Sequence, residues 1–234
     1  MKSHALRVVG LMLAGLVPML AARGADKPVS ADKPVSAEKA APAAKGAGKT
    51  EPAAKDLFDG KTLEGWKVTD FGGQGKVEVR DGTIFMQRGS QMTGITWSGK
   101  PPRNNYELTL EGKRIEGSDF FCTTTFPVGD DYCSFVTGGW GGSVIGLSNV
   151  DHMDASENPT SSSREFKNGT WYKFRIRVTD DKIEVWIDKD QVVDQSRKEH
   201  TFGLRIECDA CRPLGIATYD TVGAVRNIRL KTLK

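Results

Sequence analysis

Residues 171–187 read WYKFRIRVTDDKIEVWI, and in this stretch apolar and polar side chains alternate on either side of Asp180 and Asp181. A period of two is typical of β-strands that bury one face, whereas an amphipathic helix repeats its apolar positions every three to four residues. Aspartates between two such runs favour a tight turn. The stretch therefore predicts an antiparallel β-hairpin with its turn at the two aspartates.

The register of this hairpin follows from its own side chains. A two-residue turn places Ile176 opposite Val185 on one face and Arg175 opposite Trp186 on the other. The first pair suits a core, and the second allows a cation–π contact between neighbouring strands. Since both faces are complementary in one register, that register is the one expected.

The same alternation recurs in other parts of the chain, including residues 204–208 and 228–230. No segment shows a convincing amphipathic helical pattern, and breaks rich in glycine, asparagine and aspartate separate the alternating runs. Many short strands at this spacing are typical of an antiparallel sandwich. The sequence therefore predicts an all-β fold, an antiparallel β-sandwich or jelly roll.

Residues 1–24 have the features of a signal peptide. Lys2 and Arg7 precede an apolar run over residues 8–20, and Ala22-Arg23-Gly24 is a small-x-small cleavage pattern. The run is too short to span a bilayer, so no membrane span is predicted. We expect the protein to be exported, to the periplasm or to the extracellular medium.

The next segment, residues 25–55, contains the repeat ADKPVS followed by an Ala/Lys/Pro-rich tract without aromatic residues. Such a composition buries too little apolar surface to fold, so we expect a disordered linker before one domain over residues 56–234. Removal of residues 1–24 lowers the formal net charge from +3 to 0. This balance gives no reason to expect nucleic-acid binding.

Four cysteines lie in the predicted domain, and an even number in an exported protein favours disulfides over redox chemistry or zinc binding. A hairpin turn at residues 127–128 would place Cys122 directly opposite Cys133. Cys208 and Cys211 are the second candidate pair. Zinc is the weaker alternative, because only this second pair has CxxC spacing.

Four segments resemble, in order, motifs of the 3-keto-disaccharide hydrolase family. They are LFDGKTLEGW (57–66), VRDGTI (79–84), WYKFRIRV (171–178) and VRNIRL (225–230). The resemblance covers nearly the whole predicted domain. It implies a concanavalin-A-like jelly roll, in agreement with the alternation, and a partner that is an oligosaccharide or glycoside.

The activity that the resemblance implies is cleavage of glycosides already oxidised at C3. A ketone at C3 acidifies the proton at C2, so a base removes that proton and the aglycone leaves from C1. Water then adds to the unsaturated sugar. Such a site needs a base, an acid for the leaving oxygen and a stabiliser for the enolate, either a metal ion or a cationic side chain.

One family motif is missing. Many members carry an acidic YExQIxD segment after the mid-domain strand, but residues 132–140 read YCSFVTGGW and lack its glutamate. A carbohydrate-binding module of the cell envelope, which keeps the fold without the chemistry, is therefore the alternative function.

The loop over residues 138–160 is the candidate catalytic region. After the signal peptide the chain has two histidines, and one of them, His152, is flanked by Asp151 and Asp154 with Glu157 nearby. Neighbouring carboxylates orient an imidazole and raise its pKa, as a general base requires. His152 is thus the predicted base, with the three acids as its catalytic partners.

The same three acids, together with Asn158, form an alternative oxygen-ligand set for a divalent cation such as calcium. Their spacing matches no EF-hand loop, so the identity of the ion and its role, structural or catalytic, stay open. A third interpretation is that these residues only form turns and caps, since Asn158-Pro159 is itself a turn signal.

Four side chains are predicted to bind the sugar: Trp140, Asn158, Arg205 and Glu207. Trp140 stands between two Gly-Gly pairs, which allow close approach of a ligand to the backbone, and its indole can stack on a sugar ring. In a strand over residues 204–208, Arg205 and Glu207 would point to the outer face of a sheet, where a groove is expected.

Overall fold

The computed structural model describes residues 53–234, and this part of the chain is almost entirely β-structure. One 3₁₀ helix, Ile206–Cys211, lies in the final third of the chain. In chain order the strands are β1 (Lys55–Asp56), β2 (Trp66–Val68), β3 (Val77–Arg80), β4 (Thr83–Met86), β5 (Met92–Trp97), β6 (Tyr106–Glu116), β7 (Thr123–Val128), β8 (Asp131–Gly139), β9 (Val144–Ser148), β10 (Ser162–Ser163), β11 (Trp171–Val178), β12 (Lys182–Ile187), β13 (Asp190–Ser196), β14 (Gly215–Tyr219) and β15 (Val222–Thr232).

The strands form two antiparallel sheets. The eight-stranded sheet has the order β13-β12-β11-β6-β15-β4-β3, and β1 pairs with β15 outside this path. The seven-stranded sheet has the order β10-β9-β8-β7-β14-β5-β2. The fold is an antiparallel β-sandwich of the jelly-roll type, and the prediction of an all-β sandwich is confirmed.

The hairpin of β11 and β12 has the predicted register. Ile176 pairs with Val185 and Arg175 with Trp186, and the guanidinium carbon of Arg175 lies 3.7 Å from the centre of the Trp186 ring. Local complementarity of both faces was sufficient to fix this pairing, because a shift by one residue would exchange core and solvent faces.

The hydrophobic core lies between the two sheets. Leu108 and Ile176 from the eight-stranded sheet belong to the same buried cluster as Phe126 and Phe135 from the seven-stranded sheet. All four are fully or almost fully buried, and burial of each such side chain contributes about 1.5–3 kcal/mol. Alternate residues of β6 and β11 supply this core, while the residues between them face outwards.

The motif over residues 57–66 joins the start of the domain to this core. Leu57 and Trp66 are buried, and the indole Nε1 of Trp66 donates a 2.8 Å hydrogen bond to the Leu57 carbonyl. The intervening turn is closed by Asp59, whose Oδ1 accepts the backbone N–H of Thr62 at 2.8 Å. The motif therefore has a structural role, because it closes a turn and anchors the start of the domain in the core.

The strand predicted over residues 204–208 is wrong. This segment enters the 3₁₀ helix, in which Ile206 is 90% exposed whereas Cys208 and Cys211 are buried. Side chains three residues apart lie on the same side of a 3₁₀ helix, so the two cysteines face the sheet together. Three alternating apolar residues were too few to distinguish a strand from this turn.

The predicted pairing of Cys122 with Cys133 is also wrong. The β7–β8 hairpin turns at Gly129-Asp130, which places Phe126 opposite Cys133, whereas the backbone N–H of Cys122 donates to the Thr137 hydroxyl at 3.2 Å.

All four cysteines, including Cys208 and Cys211, are free and buried. Burial raises the pKa of both Cys122 and Cys133 to about 12, so neither thiol ionises near neutral pH.

The predicted signal peptide, residues 1–24, lies outside the described residues, as does most of the predicted linker over residues 25–55. The first strand begins at Lys55, one residue before the predicted start of the domain. No helix within residues 53–234 is long and apolar enough to cross a membrane.

Candidate functional site

The outer face of the seven-stranded sheet carries a cavity of about 250 Å³, which we call the groove. Phe135 of β8 points into the core, so its neighbours Ser134 and Val136 point to the opposite face and form part of the groove floor. Ser148 of β9 pairs with Ser134 across the ladder. The full lining consists of Asp119, Phe120, Thr123, Ser134, Val136, Trp140, Ser148, Arg205, Glu207, Cys208 and Tyr219.

Trp140 stands at the rim of the groove and is 45% exposed. It lies in the turn between β8 and β9 with a φ of 50°, a conformation that costs energy for a residue other than glycine. The backbone of this turn packs closely against its neighbours: a Cβ atom on Gly142 would lie only 2.3 Å from the carbonyl oxygen of Ser118. The glycines around Trp140 thus allow the chain to present an indole ring to solvent.

Asp119 holds this turn in place. Its Oδ2 accepts the N–H of Gly141 at 2.9 Å, and its Oδ1 accepts the N–H of Phe120 at 2.7 Å. The first bond spans 22 positions in the sequence, so it fixes the Trp140 turn against the loop that precedes β7. Asp119 is both a lining carboxylate and a support for the aromatic rim.

Arg205 is the centre of the groove wall. Its Nε donates to Glu207 Oε1 at 2.7 Å, its Nη1 donates to Asp154 Oδ2 at 2.5 Å, and its guanidinium carbon lies 5.6 Å from the Trp140 ring centre. Three of the predicted sugar-binding residues and one predicted catalytic acid therefore meet at one point. Hydrogen bonding to Glu207, with a smaller effect of Asp154, raises the pKa of Arg205, so the guanidinium stays charged.

Asp154 is ionised at neutral pH. Its burial favours the protonated form, but hydrogen bonds from Ser156 and the charge of Arg205 lower its pKa below the ordinary value. Arg205 is thus paired with two carboxylates, Glu207 and Asp154. The groove lining itself contains Arg205 and the two acids Glu207 and Asp119.

The structure corrects the expectation that His152 shares this site. Asp151 and His152 have φ values of 50° and 67° and are the central residues of a two-residue turn, closed by hydrogen bonds of 3.0 and 2.9 Å between Val150 and Met153. Positive φ at both positions is required by a type I′ turn, in which Asp is favoured. His152 is exposed at the tip of this turn and does not line the groove.

Asp151 interacts instead with the other histidine. Its Oδ2 lies 2.6 Å from His200 Nδ1, and its Oδ1 accepts the N–H of Thr201 at 2.8 Å. These bonds, led by the one from Thr201, lower the pKa of Asp151. They tie the loop that carries Asp154 to the segment that leads into Arg205. No local pattern connects His200 with Asp151, because the two residues are 49 positions apart in the sequence.

Asn158 is not available to a sugar, contrary to the prediction. It is 2% exposed, and its Nδ2 donates to the carbonyls of Leu147, Met153 and Asp154 at 2.7, 3.2 and 2.7 Å. Its Oδ1 accepts both the N–H and the hydroxyl of Thr160, at 2.9 and 2.6 Å. The side chain is saturated within its own loop, so its role is structural.

The cation site proposed for the acids of this loop is not assembled. Asp151 faces His200, Asp154 faces Arg205, and Glu157 is exposed and has no side-chain partner among residues 53–234. Within residues 53–234, no group of three or more His, Cys, Asp or Glu side chains is arranged to hold a metal ion. The acids were close in sequence but diverge in space, because the tight turns of the loop point them in different directions.

The family model described as the 3-keto-alpha-glucoside-1,2-lyase-like domain matches residues 53–231. A search of proteins with curated functions gave no match to the sequence.

Solved structures share the fold at low sequence identity. A predicted glycosyl hydrolase from Parabacteroides distasonis is 13% identical with a TM-score of 0.51, and the match covers 77% of this chain and 94% of that one. The Crh5 transglycosylase in complex with NAG is 13% identical with a TM-score of 0.53, and the match covers 79% and 85% of the two chains. These similarities establish the jelly-roll fold.

Proposed function

Because this chain belongs to the 3-keto-alpha-glucoside-1,2-lyase-like domain family, we propose that it cleaves glycosides already oxidised at C3 and that the groove is its active site. The observation that carries this proposal is the convergence of Trp140, Arg205 and Glu207 on one cavity. An aromatic face, a permanent cation and a carboxylate are the groups that binding of a keto-sugar and removal of its C2 proton require.

In this proposal the sugar ring stacks on Trp140 at the rim and lies above the hydroxyl-bearing floor. Ser134 and Ser148 are almost completely buried beneath it, so their positions are fixed by the sheet before a ligand arrives. A site on rigid strands orients a small substrate at low entropic cost.

Glu207 is the proposed base. Its carboxylate takes the proton from C2, the electron pair of the C–H bond forms the enolate, and Arg205 stabilises the negative charge on the C3 oxygen. The electrons then return, a C1=C2 double bond forms, and the C1–O bond breaks. The leaving oxygen accepts the proton held by Glu207, so proton and charge balance and the free aglycone is released.

The second half of the reaction restores a saturated sugar. Glu207, again ionised, deprotonates a water molecule whose hydroxyl adds to C1, and the proton is returned to C2. The product is the free 3-keto-sugar. In this scheme a single carboxylate, placed between C2 and the C1 oxygen, acts as base and acid in both halves of the reaction, and Arg205 is the single cation beside it.

The experiment is turnover of a chromogenic 3-keto-glucoside by the domain, with the unoxidised glucoside as control substrate. We expect aglycone release from the keto-substrate only, because the C2 proton of the parent sugar is not acidic. The Glu207→Gln variant should lower kcat about 100- to 10,000-fold. His152→Ala, which changes an exposed side chain that does not line the groove, is the matched control and should leave the rate unchanged.

A parallel assay with a chelator tests whether a divalent cation takes part. A carbohydrate-binding module is the second candidate, favoured by the absence of the family's acidic segment and by the engagement of Arg205 with two carboxylates. If no aglycone is released while polysaccharide retards the protein in affinity gels, the binding function replaces the enzymatic one.

A further inference from the structure

A second cavity, of about 420 Å³, adjoins the 3₁₀ helix and shares Glu207 with the groove. The residues of the helix divide between the two spaces. Glu207 and Cys208 line the groove, whereas Ile206, Glu207 and Ala210 line the second cavity. The carboxylate that we assign as base therefore stands where the two cavities meet.

The second cavity combines apolar and polar groups. Ile206 is 90% exposed, Phe71 is partly buried and Met92 is buried, while Ser90, Gln91 and Glu207 add polar groups to the lining. Phe71 and Met92 belong to a small apolar cluster that also includes Phe120 and Tyr219, which line the groove. One apolar layer thus runs under both cavities and makes them neighbouring parts of one surface.

The packing of residues 53–234 leaves the side chain of Ile206 exposed. Single exposed apolar residues are common on protein surfaces, but this one stands next to the proposed base and beside two further apolar side chains. Apolar side chains beside a few polar groups are typical of a ligand site.

We propose that the second cavity is the leaving-group subsite and that it takes an apolar, ring-shaped aglycone, such as a phenol. This inference rests on the proposed function. With the sugar in the groove and its C1–O bond beside Glu207, the group attached to that oxygen projects past the 3₁₀ helix towards Ile206. There Ile206 and Phe71 offer it an apolar surface, beside the buried Met92.

The test compares two substrates and two variants. The substrates are p-nitrophenyl 3-keto-glucoside and a 3-keto-disaccharide, whose leaving group is of similar size but polar. The variants are Ile206→Ser and, as a control for loss of an exposed apolar side chain elsewhere, Met153→Ser, since Met153 is 37% exposed and lines neither cavity. Each variant is compared with the wild type on the same substrate, which cancels the different reactivities of the leaving groups.

We expect Ile206→Ser to raise KM for the nitrophenyl substrate roughly tenfold and to leave KM for the disaccharide within twofold. Met153→Ser should change neither value. Equal effects of Ile206→Ser on both substrates, or no effect on either, would overturn the aglycone assignment while turnover itself upholds the proposed function.

Absence of turnover of either substrate by the wild type contradicts the proposed function instead. In that case equilibrium binding of unoxidised p-nitrophenyl glucoside and of the parent disaccharide decides on the subsite. A loss of affinity in Ile206→Ser that is confined to the nitrophenyl ligand supports it, and equal affinities in wild type and variant refute it.

Discussion

Replacement of Asn158 by alanine should destabilise the domain strongly, although Asn158 lies in a loop and was first interpreted as a ligand-binding residue. Its amide makes five hydrogen bonds, of which those to the carbonyls of Leu147 and Asp154 are 2.7 Å long. The side chain is 2% exposed, so water cannot replace it without rearrangement. At about 1 kcal/mol net for each bond, the loss should be about 3–5 kcal/mol.

The matched control is Glu157→Ala, one position earlier, because Glu157 is exposed and has no side-chain partner within residues 53–234. Its effect should stay within about 0.5 kcal/mol. Urea unfolding followed by tryptophan fluorescence measures the free energy of unfolding of both variants. In thermal unfolding, the melting temperature of Asn158→Ala should fall by about 10 °C. If the two alanine variants unfold at the same urea concentration, the structural role of Asn158 is refuted.

The Asn158→Asp variant adds a test of sign. It keeps the shape and the acceptor oxygens but removes the N–H donors, so a carboxylate would face three carbonyl oxygens. Burial beside these oxygens would raise the pKa of the new acid above that in the unfolded chain. Its destabilisation should therefore be largest at neutral pH and should diminish as pH falls and the acid is protonated. A pH-independent difference from wild type would contradict the proposed environment.

Three further predictions concern the groove and the cysteines. Asp119→Ala removes the acceptor of the Gly141 N–H that holds the Trp140 turn. Sugar affinity should therefore fall roughly fivefold to tenfold in affinity gels, while the free energy of unfolding measured in urea changes by less than about 2 kcal/mol. Unchanged affinity would exclude Asp119 as a positioning residue. The pKa of Asp154 is lower in the folded protein than in the unfolded chain. Its stabilising contribution is therefore present above the unfolded pKa and is lost as the pH falls through the folded pKa. The difference in unfolding free energy between wild type and Asp154→Asn should shrink below about pH 4. Burial raises the pKa of Cys208 to about 11, so a thiol reagent should react slowly with the folded protein at pH 8. In urea the same reagent should detect four thiols per chain. Detection of two thiols would demonstrate a disulfide.

Much of the fold could be predicted because its signals are local. Arg175 and Trp186 lie within one hairpin, and their pairing follows from a two-residue turn and a period of two. The segment from Leu204 to Cys208 shows the limit of this argument, since its three apolar positions alternate as in a strand. The burial of Cys208 and Cys211 against the sheet made it a 3₁₀ helix, and this contact is not local.

Part of the groove lining was predicted, while its role in binding and catalysis stays a prediction. Trp140, Arg205 and Glu207 were identified by residue type and lie together, although Arg205 and Glu207 reach the groove from a helix entrance rather than from a strand. Asp119 was missed because its role depends on an N–H group 22 positions later, and no motif marks it. His152 was chosen because acids flank it in sequence, but in the structure Asp151 bonds to His200, Asp154 bonds to Arg205, and His152 is exposed at the tip of a turn.

The burial of all four native thiols means that a cysteine introduced at the surface could be labelled selectively with a fluorescent dye. The chain contains no other cysteine, so a His152→Cys variant would carry one accessible thiol, at the tip of an exposed turn. A maleimide dye attached there would lie outside the groove, on the loop whose Asp154 accepts a hydrogen bond from Arg205. Ligand binding could then be followed by emission from a singly labelled protein, without removal of any native cysteine.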